Sequence, residues 1–214
     1  MRAGFLIPLQ TTETLRSAGW SRESIAGTAR AGSLRRVRRG VYVDASEWTD
    51  LETESRVIAN ARALAMVARR PPVFSHTTAA AIHSLPLLGT VERLDVLSDG
   101  SRPGDNPGVS RRRTGPGDPE IVEVHGLRCT SLDWTVGEIA RWCSPPAAVV
   151  VLDAALRRLQ VGDPMRAYDE AQASMDRGRW LDLASIRTHR FQAARRVIEF
   201  ADGRADGPGE SVSR

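Results

Sequence analysis

The sequence has no lysine; every one of its 30 basic residues is arginine. Arginine presents a planar fork of donors suited to bidentate phosphate contacts. A GC-rich genome would also replace lysine throughout, and arginines far from any basic cluster follow the same rule, which favours the compositional cause. Cysteine is scarce: Cys129 and Cys143 are the only two. Two cysteines give neither a disulfide framework nor a metal-binding pattern, so a reducing, cytoplasmic compartment is expected. Long apolar runs are missing too. Phe5 to Leu9 is too short to span a bilayer and contains Pro8, so neither a signal peptide nor a membrane partner is expected. The four histidines (His76, His83, His125 and His189) are scattered. His76 and His83 are spaced to share a helix face, but the sequence supplies no carboxylate or cysteine to complete a site. A structural or surface role is expected for them, with no metal and no cofactor.

Positive charge is concentrated. Residues 1–43 hold eight arginines (2, 16, 22, 30, 35, 36, 38 and 39) against Glu13 and Glu23, whereas the whole 214-residue chain carries only +4. The remainder is therefore slightly acidic, and the surplus can act on one partner. The commonest partner for such a patch is nucleic acid. With 41% hydrophobic residues the chain can build a substantial core, and its length fits one large domain or two small ones.

Local signals order the chain. Thr12 to Ala18 reads as a short helix stopped by Gly19. Ser21 is a good N-cap for a helix from Arg22 to Ala31, with Gly32 as its stop. Leu34 to Val37 and Val41 to Val43 flank Arg38-Arg39-Gly40 as a hairpin, Gly40 supplying the positive φ of the turn. Asp44 to Leu51 reads as a polar linker. Helical spacing continues from Glu52 to Arg69, and Ser75 is placed to cap a helix from Thr77 to Ser84. Strands are expected at Val91 to Leu97, near Val109 to Arg113, and as a strand–turn–strand over Ile121 to Cys129. Helices follow over 131–142, 146–160, 164–177 and 182–201, and the glycine-containing tail after Asp202 is expected to fray. The fold class is α+β: residues 1–48 form a winged helix-turn-helix, 49–201 a mixed, largely helical α/β domain, and 202–214 a tail.

A helix, turn, helix and arginine-bearing hairpin places the second helix in the DNA major groove and the hairpin on the backbone. With Ile25 and Ala29 facing the core, Glu23, Ser24, Gly27, Arg30 and Ala31 face outward. Gly27 costs a helix about 1 kcal/mol relative to alanine; close approach to DNA or tight packing on a neighbouring helix would each account for it. The expected DNA-binding residues are Arg22, Ser24, Gly27, Arg30, Arg35, Arg36, Arg38 and Arg39, the hairpin arginines neutralising phosphates or entering the minor groove. Without the helical layout, such a charge run would read as a solvated face.

The string Gly32 to Val43 (GSLRRVRRGVYV) resembles the N-terminal winged-helix signature of AbiEi-type antitoxins, the DNA-binding partners in type IV toxin–antitoxin systems. Val73 to Leu87 (VFSHTTAAAIHSLPL), Val124 to Val136 with Glu138 to Arg141 after it, and Val149 to Arg157 resemble the same actinobacterial group. The resemblance implies a transcriptional repressor that binds repeats in its own promoter, beside a gene for a nucleotidyltransferase-like toxin. In similar proteins a helix precedes the segment matching Gly4 to Pro8. The resemblance therefore implies a module lacking its first helix, whose place another segment or subunit must take. Many relatives continue beyond a motif like Pro208-Gly209-Glu210-Ser211 into a domain resembling very-short-patch-repair endonucleases. Glu210 alone cannot hold a catalytic metal, so no enzyme is expected here.

Other chemistry is weaker. Asp95, Asp99 and Asp105 read as turn formers in a Gly/Pro-rich stretch. Ser75-His76 lacks a nucleophile elbow, and a helix cap is the better account. Arg111 to Arg113 reads equally as a second phosphate contact or a solubilising loop. Trp134 and Trp142 are expected in the core, or at a protein interface if exposed. The function expected is a sequence-specific repressor on double-stranded DNA, a homodimer by symmetry with its repeats. The alternatives are a protein-interaction module that neutralises a toxin, and a remnant of a two-domain endonuclease.

Overall fold

The computed structural model describes residues 3–98, 105–113, 117–160, 169–186, 190–205 and 207–213, and the architecture is mixed α+β. Near the N-terminus, β1 (Gln10–Thr11) leads into α1 (Thr12–Ser17) and α2 (Arg22–Arg30), then β2 (Leu34–Arg38) and β3 (Val41–Asp44). The Ser21 cap is the one the sequence signals, and Thr11 caps α1 in the same way. Thr11 Oγ1 accepts from Thr14 N at 3.0 Å, and Ser21 Oγ accepts from Ser24 N at 3.0 Å, each satisfying an amide that the helix leaves open. Gly32 and Gly40 both have φ of 82°, the left-handed region that stops α2 and turns the hairpin. The three strands form an antiparallel sheet in the order β1-β3-β2. Leu15, Ile25 and Leu34, with Tyr42 beside them, fill the small core between helices and sheet.

Residues 3–9 do not hang free. Ala3–Phe5 is one turn of 3-10 helix packed on α4 (Thr53–Val67). Arg62 of α4 fastens it, its Nη1 donating to Gly4 O at 3.0 Å and Ile7 O at 2.8 Å. Gly4 is needed because a side chain there would run into the Ser55 backbone. The polar linker expected over Asp44 to Leu51 is instead α3 (Ala45–Thr49), capped by Asp44 Oδ1 on Ser46 N at 2.9 Å. The segment's polar residues mask two apolar ones, Trp48 and Leu51. Both are buried with Ile7, Val43 and Ala59, in a cluster that joins the hairpin to α4.

The central sheet is built around Phe74. Parallel strands β4 (Leu94–Leu97) and β6 (Val109–Arg112) pair, with β5 (Asp105–Asn106) on the outer side of β6. The hairpin β7 (Ile121–Val124) and β8 (Leu127–Thr130) lies opposite, and Phe74 bridges β4 to β8. Helices α4 and α5 (His76–Ile82) cover this sheet through Val57, Ile58, Ala61, Ala79 and Ile82.

The C-terminal half is helical: α6 (Leu132–Trp142), α7 (Pro145–Gln160), α8 (Glu170–Ser185), α9 (Phe191–Phe200) and α10 (Pro208–Ser213). The split of the last long helices differs from expectation. Ala173, Asp176, Trp180 and Ala184 make one buried stripe, which keeps 182–185 in α8, and Arg190, in the left-handed region at φ 60°, sits at the N-cap of α9. Part of the expected 164–177 helix lies outside the described residues. The described part of the tail packs onto α7. Asp153, buried in α7, accepts from Asp202 N at 3.0 Å, Gly203 N at 3.2 Å and Ser211 Oγ at 2.7 Å. Among the described residues, no helix is long and apolar enough to cross a membrane.

Candidate nucleic-acid interface

A groove of about 620 Å³ runs between α2 and the hairpin. Its α2 wall is small: Ala26, Ala29 and Gly32. Arg30, Arg35 and Arg36 line it with Tyr42 between them. Arg36 lies directly across the strands from Tyr42, as Arg35 does from Val43. Arg30, at the end of α2, and the hairpin's Arg35 and Arg36 thus border one trough, which Leu34 and Tyr42 also line. All three arginines are exposed. Arg35 also stacks over the buried Trp48, its guanidinium 5.0 Å from the ring centroid, which fixes its stem while leaving its edge in solvent. Arg30 Nε donates to Ala26 O at 3.3 Å.

The remaining expected residues divide. Ser24 is exposed near the start of α2, its hydroxyl donating to Ser21 O at 2.9 Å. Arg22 borders a shallow depression at the α1–α2 turn with Arg16 and Trp20. Nothing lies within 4 Å of a side chain built at Gly27, which removes packing on a neighbouring helix as its reason. Arg39 is exposed at the hairpin tip. Glu23 stays ionised at the start of α2: hydrogen bonds from its own backbone and from Ser21 hold its carboxyl below the usual range.

Arg38 departs from expectation. The register slips between Arg36 and Arg38, a bulge at Val37 that re-aims the next side chain. The Arg38 guanidinium, half-buried, donates from Nη2 to Gly108 O at 3.1 Å in the turn between β5 and β6. It tethers the hairpin to the central sheet. Ala26, Ala29, Gly32, Leu34, Tyr42 and Ala45 line the groove without having been expected there, and Ala29 was expected to face the core. The alternation of β3, buried at Val41 and Val43, was the available signal for Tyr42.

The second motif-bearing region is a buried polar layer. Ser75 occupies the N-cap position of α5 without bonding a helix amide; its Oγ lies 3.0 Å from His76 Nδ1 instead. Glu138 of α6 takes the amide of His76 at 3.2 Å and also lies 3.2 Å from His76 Nδ1. Serine and carboxylate therefore meet the same ring nitrogen, whereas a triad needs them on opposite ones. Here tertiary contact supplies the carboxylate that the sequence spacing did not reveal. His83, buried, lies with Nε2 2.8 Å from Thr130 O and 3.7 Å from Cys129 Sγ; burial pushes its pKa down, with Arg158 adding to the effect.

Asp95 is not a turn former. It sits buried in β4, accepting from Arg112 Nε at 2.8 Å and Thr77 Oγ1 at 2.6 Å. Asp99 and the side chain of Asp105 lie outside the described residues, as does His189. Trp142, expected in the core, is 41% exposed, with Arg112 and Arg190 over its ring at 5.8 and 5.2 Å. Trp134 is half-buried and donates to Glu138 Oε1 at 3.1 Å. Arg112 is thus committed to Asp95 and Trp142, which leaves Arg113 as the fully exposed member of its triplet.

No protein-family model matches the chain. It is 30% identical over 195 residues to uncharacterized proteins from two strains of Mycobacterium tuberculosis, CDC 1551 / Oshkosh and ATCC 25618 / H37Rv. The matched region covers 91% of this chain and 63% of each relative, so the chain spans less than two thirds of the length of these curated relatives.

Proposed function

We propose that the protein is a DNA-binding transcriptional regulator in which α1, its turn and α2 form a helix-turn-helix and β2–β3 the wing. The observation that carries this reading is the trough between α2 and the hairpin, where α2 contributes Ala26 and Ala29 beside Leu34 and Tyr42, and Arg30, Arg35 and Arg36 border it. A helix with a small face can approach base edges. Exposed arginines on the adjoining hairpin then hold the phosphates on either side. The concentration of charge in residues 1–43 of a chain of net +4 supports the same reading independently of shape. The AbiEi resemblance adds the context: a repressor acting as a homodimer on repeats in its own promoter, without enzymatic activity, beside a nucleotidyltransferase-like toxin as protein partner.

Mobility shifts on the DNA upstream of its gene test the proposal. Binding is expected, stronger than to a random duplex, weakening steeply with salt, and lost when Arg36 and Arg39 are both replaced by glutamate. Absent or salt-insensitive binding to both duplexes would refute it.

A further inference from the structure

We propose that the cleft between the hairpin and the central sheet is a binding site for a small organic carboxylate. The cleft holds about 370 Å³, within the size range of small-molecule sites. Three parts of the fold enclose it: the hairpin end at Val37 to Arg39, the side of α4 at Val57 and Asn60, and the sheet margin at Val91 to Leu94 with Pro107 and Gly108. Three guanidiniums (Arg38, Arg39 and Arg93) border it against one carboxylate, Glu92.

Arg38 is the reason to expect an anion. It is half-buried, yet no carboxylate pairs with it among the described residues. Its Nε is buried without a hydrogen-bond partner. A buried charge of this kind is costly unless something compensates it. One N–H goes to Gly108 O, and the guanidinium carries five in all, so donors remain for a ligand. Burial lowers the pKa of this arginine, the cost that an anion at the site would offset.

The walls select the ligand's body. Val57, Val91 and Leu94 line the cleft and also belong to, or pack against, the central apolar cluster. Inorganic phosphate would leave that surface wet, whereas an aromatic or branched aliphatic acid would bury its ring or chain there while its carboxylate takes the planar fork. Arg38 to Gly108 is the bond that already crosses the cleft. A ligand beside it would add a second link between hairpin and sheet and steady the hairpin. Only this last consequence rests on the DNA-binding reading.

Calorimetric titration of the full chain with sodium benzoate, against sodium phosphate and sodium chloride at matched ionic strength, tests the site. Saturable benzoate binding is expected, weakened about tenfold or more by Arg38→Gln, by Arg93→Gln, and by Val91→Phe, which fills the cleft and leaves every guanidinium in place. Circular dichroism identifies any variant that fails to fold, and the others then carry the test. No saturable binding of benzoate, equal binding of phosphate, or benzoate binding unaffected by Val91→Phe would overturn the proposal. Saturating benzoate should change affinity for a DNA duplex by about threefold or more. An unchanged DNA affinity would overturn the steadying of the hairpin, and a chain that binds benzoate but no DNA would overturn the proposed function while leaving the site intact.

Discussion

Arg38 and Arg39 are adjacent and chemically identical, yet the structure gives them opposite roles, and salt titration separates them. On the proposed DNA-binding reading the exposed Arg22, Arg30, Arg35, Arg36 and Arg39 meet phosphates, whereas the half-buried Arg38 turns inward and gives one N–H to Gly108 O. Each neutralised phosphate contributes about −0.9 to the slope of log K against log salt, so five give a slope of about −4.5 per protomer and a loss of several hundredfold between about 50 and 200 mM salt. Arg39→Gln should flatten that slope by about 0.9 and weaken binding at every salt concentration. Arg38→Gln should leave the slope unchanged; any loss of affinity it causes comes through the hairpin's placement and is parallel at all salt concentrations. Fluorescence anisotropy on a random duplex suffices, because the slope is independent of sequence. If Arg38→Gln flattens the slope as much as Arg39→Gln, the inward placement of Arg38 is wrong; if neither changes it, the hairpin is not on the backbone.

Gly4→Ala should destabilise the chain by about 1–3 kcal/mol, the usual cost of forcing extra volume against a packed surface, because its Cβ meets the Ser55 backbone; thermal denaturation should register a fall of several degrees. His83 makes stability depend on pH. Its folded pKa lies below the ordinary value, so the unfolded chain takes up the proton first, and stability present above about pH 6.5 is lost progressively as pH falls toward the folded pKa. Urea melts at stepped pH should show this loss, reduced in His83→Gln. Burial raises the Cys129 thiol to about 12 and the Cys143 thiol to about 11; at neutral pH both should resist iodoacetamide in the folded chain and react on denaturation.

The local chemistry of the first 43 residues was legible because it is written in caps and turns. Ser21, Gly32 and Gly40 each act within four residues of their own position, and the structure uses all three as read; the Thr11 cap of α1 is equally local but was not read. What escaped acts across distance. Glu138 reaches His76 from 62 residues away, Asp153 holds the tail from up to 58, and Gly108 takes Arg38 from 70. No window of sequence contains such pairs. The Val37 bulge is different in kind: it is local, but a single extra residue in a run of arginines leaves no pattern to read, and it shifts the register ahead of Arg38.

The hairpin's setting follows from these long-range contacts. Segment 3–9 and α4 pack together behind the hairpin. Ile7 and Val43 share one buried cluster with Trp48, Leu51 and Ala59, so the apolar surface behind the hairpin is closed by residues on both sides of position 48. The closure is reinforced by Arg62 on the backbone of residues 4 and 7, and by Arg38 on the central sheet. A hairpin held in this way cannot tilt without moving α4 or breaking the Gly108 bond. The hairpin that carries Arg35 and Arg36 is thus anchored by α4 and by the central sheet as well as by its own turn.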